Sequence, residues 1–321
     1  MYEKNTMASL RDAYNLTLLS LGELDKRVVV LEADTSALSK STLFASRFPD
    51  RFVNVGVAEQ DMIGTAAGLA AEGMIPFVSG MAVFITLRSL EQIRTSVAYA
   101  NLNVKIVASY AGLSAGPNGP THFAIEDLAV INAIPGMVIL APADANAISL
   151  ALIEAYKYYG PVYIRSSRVE VPVVWEKSSR LQIGTAIEWK TGKDLTLMVT
   201  GTLLHLTLEA ACRLESNGIS TGVLEFHTLK PIDVNAIIKS SKETGAIVTI
   251  EEHNIYGGLG SIVSQIVTAN YPCWVKNIGI RDNFVETGDY KDLLSICGIT
   301  VEDIVNTSIS LLCARRCKHE P

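Results

Sequence analysis

Asn54-Val-Gly-Val-Ala-Glu59-Gln-Asp-Met62 sets a single carboxylate where one kind of local structure gives way to another. Residues 51–57 ahead of it read as a brief buried strand. Residues 62–71 behind it read as a helix so rich in Ala and Gly that another backbone or a flat ligand can come close. Strand, turn and helix in that order are the building unit of a parallel α/β sheet. A carboxylate at a helix start also suits the positive end of the helix dipole. Glu59 is therefore either a capping acid or a catalytic one, and the rest of the chain has to decide.

Working outward, β-like runs alternate with helical patterns. A helix over 10–24 leads into a strand at 27–31. Further strands are expected at 51–53, 75–78, 104–108, 137–140 and 162–164, each separated by a helix-length segment, which predicts one parallel sheet. The stretch 165–181 breaks this rhythm with Ser166-Ser167, Pro172 and charged residues among Val and Trp175, and reads as a linker. A second unit follows, with strands at 195–199, 221–224, 246–251 and 274–278 and helices near 203–217, 234–241, 258–269 and 301–313. The division expected is a first domain over 1–168, a linker over 169–190 and a second domain over 191–321. The fold class is α/β with two domains, each built on a parallel sheet.

Length and composition agree. A chain of 321 residues, 49% hydrophobic and 19% charged, is long enough for two α/β domains with substantial cores. A formal net charge of −6 argues against a nucleic-acid surface. No apolar run is read as long enough to span a bilayer, and Met1-Tyr-Glu-Lys-Asn-Thr6 lacks the layout of a signal peptide, so the expected location is the cytoplasm. The five cysteines, Cys212, Cys273, Cys297, Cys313 and Cys317, are odd in number and suit reduced thiols better than a disulfide framework. Cys313 and Cys317 sit one helical turn apart, but no second pair completes a structural metal site.

Two further constellations share the placement of Glu59. Ala111-Gly-Leu-Ser-Ala-Gly-Pro-Asn118-Gly-Pro-Thr-His122 follows the strand expected at 104–108. A glycine-rich loop at the carboxyl end of a parallel strand is where an open α/β sheet places its ligands. A lone loop histidine is ordinarily a surface or packing residue, yet three glycines and two prolines fix the position of His122, as binding requires. Pro76-Phe-Val-Ser-Gly80-Met81-Ala-Val-Phe84 ends another strand. Phe84 suits a core position, but Ser79-Gly80 open room for a flat ring against it.

Taken in order, these residues resemble the transketolase family. The resemblance runs from Leu10-Arg11-Asp-Ala-Tyr14 through the Glu59, Phe84 and Gly119-Pro-Thr-His122 motifs and Pro142-Ala-Asp144 to Gly160-Pro-Val-Tyr-Ile-Arg-Ser-Ser-Arg168. It continues in Leu224-Glu-Phe-His-Thr-Leu-Lys-Pro-Ile-Asp233 and Glu251-Glu-His-Asn-Ile-Tyr-Gly-Gly-Leu-Gly-Ser261. The chain looks like the C-terminal half of a transketolase carried as a separate subunit. That implies a pyrimidine-binding domain for thiamine diphosphate followed by a transketolase C-terminal domain with a mixed sheet.

The resemblance also implies roles. Glu59 matches the acid that hydrogen-bonds the cofactor's pyrimidine nitrogen and so promotes loss of the thiazolium proton. Phe84 matches the ring stacked on that pyrimidine. Met81 and Asp34 are expected nearby, with Met81 and Leu87 standing where aromatics flank the stacking residue. His122 matches a histidine that hydrogen-bonds substrate hydroxyls and a developing alkoxide. Arg11 and Arg168 match the arginines that contact substrate phosphate, a task suited to guanidinium forks. Arg168 also fits a domain-hinge ion pair. Ser36 or Ser39 is expected to add a hydroxyl donor. Tyr110 stands where a second substrate histidine is usual, and Asn118 replaces an aspartate that senses a sugar hydroxyl, so the sugar site is expected to differ from the common pattern.

The Gly-Asp-Gly and downstream Asn that hold the metal and diphosphate in this superfamily are missing from the sequence; Thr287-Gly-Asp-Tyr290 lacks the second glycine. The Mg2+ ligands are therefore expected from a partner, a diphosphate-binding N-terminal-half subunit, in an assembly with two copies of each. Three readings follow. The first is a subunit that transfers a two-carbon ketol unit between sugar phosphates, or a specialised carboligase with a non-standard acceptor. The second is the beta subunit of a 2-oxoacid dehydrogenase. The third is a regulatory subunit without chemistry.

Overall fold

The computed structural model describes residues 1–317. Its larger sheet has seven strands, in the order Thr228–Lys230, Val138–Leu140, Val162–Arg165, Lys105–Ser109, Ile75–Met81, Val28–Glu32 and Phe52–Asn54. The six strands from the first half all run parallel. Both faces of this sheet are covered: Val28 and Val30 point into one core cluster, Val29 and Leu31 into another. Burial on both faces is why such a strand reads as an unbroken apolar run rather than an alternating one.

Three features differ from the sequence expectation. The strand ahead of Glu59, Phe52–Asn54, is an edge strand and half exposed rather than buried. The seventh strand, Thr228–Lys230, comes from the second half and pairs antiparallel with Val138–Leu140. It is held there by the Lys230 ammonium, which donates to the carbonyls of Asn132 and Ile134 at 2.7 and 2.6 Å. The stretch 169–190, expected as a linker, carries two strands. Glu170–Pro172 pairs antiparallel with Met7–Ser9, and Ile187–Lys190 forms the antiparallel edge of the second sheet. Pro172 and several serines broke the rhythm of the sequence there, but Pro172 sits in a two-stranded ribbon where the loss of one donor is tolerated.

The second sheet has five strands, in the order Trp274–Ile280, Ala246–Asn254, Leu195–Val199, Thr221–Glu225 and Ile187–Lys190. It is mixed, being parallel except at the Ile187–Lys190 edge. Helices at Leu204–Ser216, Val234–Thr244, Leu259–Asn270, Tyr290–Ile296 and Val301–Cys317 accompany it. By length and composition the 28-residue span Tyr290–Cys317 passes for a bilayer segment, an 18-residue window within it reaching mean hydropathy 1.4, which corrects the expectation that no such run exists. The chain breaks there into two helices, with Gly298 at φ +68° between them. Leu293, Leu294, Ile304, Val305 and Leu311 from this span lie in the core.

The two halves are joined around Trp175, which is fully buried. Asp144 caps the helix Ala145–Lys157 through the backbone N–H groups of Asn146 and Ala147, and its second oxygen accepts from the N–H groups of Val174 and Trp175. The indoles of Trp175 and Trp189 donate to the Glu225 carboxylate at 3.0 and 2.7 Å. Complete burial pushes the Glu225 carboxyl up to about 8, the indole bonds offsetting it only in part. The folded carboxyl thus keeps its proton where the unfolded chain has already released it. That contribution to stability is full below the usual carboxylate range and is lost as pH rises through about 8. In urea denaturation between about pH 5 and about pH 8, Glu225→Gln should flatten the fall in stability by up to about 1.4 kcal/mol per pH unit. A slope identical to that of the parent would contradict this.

Candidate active site

The site forms at the carboxyl ends of the parallel strands. Glu59 is the first residue of the helix Glu59–Ala71, which begins three residues earlier than its apolar pattern suggests because Ala58, at φ −141°, still lies outside helical geometry. The carboxylate is buried at 5% exposure. The strand Ile75–Met81 runs into the helix Ala82–Arg88, and the i,i+4 spacing puts Phe84 and Arg88 on one helical face. Arg88 Nη1 donates to both Glu59 oxygens, at 3.1 and 3.2 Å. The same guanidinium lies over the Phe84 ring, 4.1 Å from its centroid. The His122 ring meets Phe84 nearly edge-on, at 5.2 Å between centroids and 70° between planes. Glu59, Arg88, Phe84 and His122 therefore form one continuous line. His122 Nδ1 is paired with the Thr121 hydroxyl at 2.9 Å.

Beside this line, Arg11, Tyr110, Arg168 and Asn118 form a second group. Tyr110 is buried and held at φ +60°, and both guanidinium carbons stand over its ring, at 5.2 Å for Arg11 and 5.3 Å for Arg168. Arg11 Nη1 lies 3.2 Å from the Tyr110 hydroxyl and donates to the Leu38 carbonyl at 2.7 Å. Its Nη2 donates to the Arg168 carbonyl at 3.3 Å, and Arg168 Nη1 to Asn118 Oδ1 at 3.4 Å. Among the described residues neither arginine has a carboxylate partner, and Arg11 Nε is buried without an acceptor. The hinge ion pair considered for Arg168 does not form.

Other candidates are placed differently. Met81 is buried at the junction of strand and helix. Asp34 is exposed at φ +61°, its N–H donating to Asn54 Oδ1 at 3.0 Å. Ser39 is not an open donor: it is buried and its hydroxyl is turned into the Glu32 carboxylate. Ser41 and Thr35 donate to the same carboxylate at 2.7 and 2.6 Å. Burial raises the Glu32 carboxyl to about 7 against those three hydroxyls. Arg88 and Glu32 were not singled out from the sequence. The spacing of four between Phe84 and Arg88 was a usable signal for the first; nothing local marks the second. Among the described residues no three His, Cys, Asp or Glu side chains are grouped to hold a metal ion.

Residues 6–173 match the transketolase pyrimidine-binding domain, and residues 184–304 match the transketolase C-terminal domain. The chain belongs to the transketolase family. It is 39% identical to the 6-deoxy-6-sulfo-D-fructose transketolase subunit of a Clostridium species, over 93% of each chain. It is 37% identical to one subunit of the apulose-4-phosphate transketolase of Phocaeicola vulgatus, over 96% of this chain and 99% of that one. Among solved structures, a split-gene transketolase described as an inactive beta4 tetramer is 40% identical, with a TM-score of 0.87 and coverage of 96% and 99%. The transketolase of Campylobacter jejuni, at 21% identity and a TM-score of 0.83, shares the fold and is matched over 47% of its own length. Transketolase-family domains of these two kinds are generally thiamine diphosphate-dependent.

Proposed function

We propose that this chain is the pyrimidine-binding subunit of a thiamine diphosphate-dependent transketolase. It works in the cytoplasm with a diphosphate-binding partner, in an assembly of two copies of each, to move a two-carbon ketol unit from a ketose to an aldose that carries an anionic group. The observation that carries this reading is the Glu59–Arg88–Phe84 arrangement. A planar, cationic, hydrogen-bond-donating guanidinium stacks on Phe84 while it pairs with a buried carboxylate. Those are the properties of a protonated aminopyrimidine, so the residues fit the cofactor's ring. Arg88 is 49% exposed along its side chain, whereas Glu59 is 6% exposed, so of the pair it is the guanidinium that reaches solvent.

When bound, thiamine diphosphate supplies the carbon acid and the electron sink for ketol transfer. Glu59 would hydrogen-bond the ring nitrogen and give or take the proton there. Phe84 orients the ring. His122, with Nδ1 engaged by Thr121, leaves Nε2 to give or take a proton at a substrate hydroxyl. Arg11 and Arg168, lacking carboxylate partners, receive the substrate's anionic group. The Mg2+ ligands come from the partner, since this sequence has no Gly-Asp-Gly motif.

The names of the relatives support both halves of the reading. They are subunits, they act on sugars bearing sulfonate or phosphate, and a tetramer of one such subunit type is described as inactive. Arg11 and Arg168, with no carboxylate partner among the described residues, favour a sugar anion over the lipoyl carrier of a 2-oxoacid dehydrogenase. Proximity of Glu59, Phe84 and His122 favours chemistry over a purely regulatory role. The test is an assay of the chain with and without its partner, in the presence of thiamine diphosphate, Mg2+ and pairs of ketose and aldose phosphates. Ketol transfer should require both subunits. Turnover by the chain alone, or none by a complex loaded with cofactor on any anionic sugar pair, overturns the proposal.

A further inference from the structure

The loop 111–122 folds on itself through two tight turns at 116–118 and 120–122, and one of its backbone N–H groups is tied to the other domain. Leu113 N–H donates to Glu252 Oε1 at 2.6 Å, across 139 residues of sequence. Glu252 is 3% exposed, and its second oxygen accepts from the Tyr290 hydroxyl at 2.6 Å and from Thr202 Oγ1 at 3.4 Å. Gly112, at φ +62°, has no room for a Cβ, which would fall against the Glu252 carboxylate. At Gly119, φ +78°, a Cβ would stand 2.5 Å from Thr287 Oγ1. The far end is tied as well: Asn254 N–H donates to the Ile125 carbonyl at 2.7 Å, and Arg165 Nη2 bridges the carbonyls of Ala124 and Glu252 at 3.3 and 2.8 Å. Within the loop, Ser114 Oγ accepts the Arg168 N–H at 3.1 Å.

We infer that the C-terminal domain is a positioning element of the substrate site: Glu252, seated by Tyr290, clasps the loop 111–122 and so sets the places of Asn118, His122 and Arg168. The inference rests on the reading above that those three residues touch substrate. Glu252 and Tyr290 are positioning residues, acting through the loop. A buried carboxylate that accepts from a backbone N–H and a phenol holds the loop in one conformation, at positive-φ glycines that would otherwise sample many. Losing it frees the loop and lowers the fraction of molecules competent to bind substrate, which raises apparent KM. Glu59 lies outside the clasp and Phe84 meets it only at the edge of the His122 ring, so cofactor affinity should stay near the parent value.

The test uses the full chain assembled with its partner and loaded with thiamine diphosphate. Glu252→Ala should speed hydrogen exchange of the loop amides about tenfold and raise the KM of the anionic sugar about tenfold, with kcat changed less than about threefold. The cofactor Kd should stay at the parent value. Glu252→Gln keeps an acceptor for Leu113 N–H and should restore most of both effects. Tyr290→Phe keeps the bulk, loosens the carboxylate and should fall between; it carries the test if Glu252→Ala does not fold. Unchanged loop exchange in a folded variant overturns the clasp. Faster loop exchange with an unmoved KM overturns its link to substrate. Failure of the underlying functional reading shows separately, as a parent complex without cofactor binding or ketol transfer.

Discussion

Glu59→Gln should lower the turnover of the assembled complex by roughly 10²–10⁴-fold, the usual contribution of a positioned proton donor. The substitution is nearly isosteric. Glu59 opens its helix and both oxygens accept from Arg88 Nη1, an arrangement in which the glutamine carbonyl still accepts one bond. What it removes is the acidic group, and with it the charge that pairs with Arg88 and faces the positive end of the helix dipole, the latter worth about 0.3–1 kcal/mol. Melting of the variant should therefore stay close to that of the parent while turnover collapses. The two measurements separate chemistry from capping, the alternatives that the sequence around Glu59 left open. Turnover within a few-fold of the parent would leave Glu59 a capping residue and favour the regulatory reading.

The second large effect is on stability. Asp127 is fully buried and accepts from Arg165 Nε at 3.2 and 2.9 Å and from the Tyr163 hydroxyl at 2.8 Å. Arg165, 8% exposed, also donates to the carbonyls of Ala124 and Glu252. Asp127→Ala strands a guanidinium that cannot shed its proton, and breaking a buried pair in this way costs about 3–5 kcal/mol. The double variant Asp127→Leu with Arg165→Met removes both charges and should recover much of that loss, since a packed apolar pair of similar size is often no worse than the ion pair. Urea denaturation of the parent, the single and the double variant checks this. A single variant within about 1 kcal/mol of the parent would mean that solvent or another anion reaches Arg165.

Much of the fold was readable because both-face burial writes long apolar runs at the strands. Val28–Glu32 and Leu195–Val199 are buried at every position. What local pattern missed were contacts made across the chain. Thr228–Lys230 joins the first sheet by pairing with Val138–Leu140, and the Lys230 ammonium finds carbonyls 98 and 96 residues away. Trp175 looked like part of a linker because its partners, Asp144 and Glu225, lie 31 and 50 residues off. At the site, Glu59, Phe84 and His122 were legible as motifs at strand ends. Arg88 carried a usable signal in its spacing of four from Phe84, but its pairing with Glu59 appears only when the two helices pack. Ser39 was misread for the opposite reason: its loop position suggested an open hydroxyl, and only folding reveals Glu32 beneath it. Glu252 lies inside the motif 251–261, but nothing local ties it to its partner Leu113, 139 residues distant.

The central claim is that this chain supplies the acid and the ring platform of a thiamine diphosphate site completed by another subunit. Calorimetric titration of thiamine diphosphate with Mg2+ tests it most directly, carried out on the chain alone, on the diphosphate-binding partner alone and on their mixture. Tight, stoichiometric binding is expected of the mixture only, weakened when Phe84→Ala removes the platform. Tight binding to this chain by itself, or binding to the mixture that is indifferent to Phe84→Ala, would contradict it.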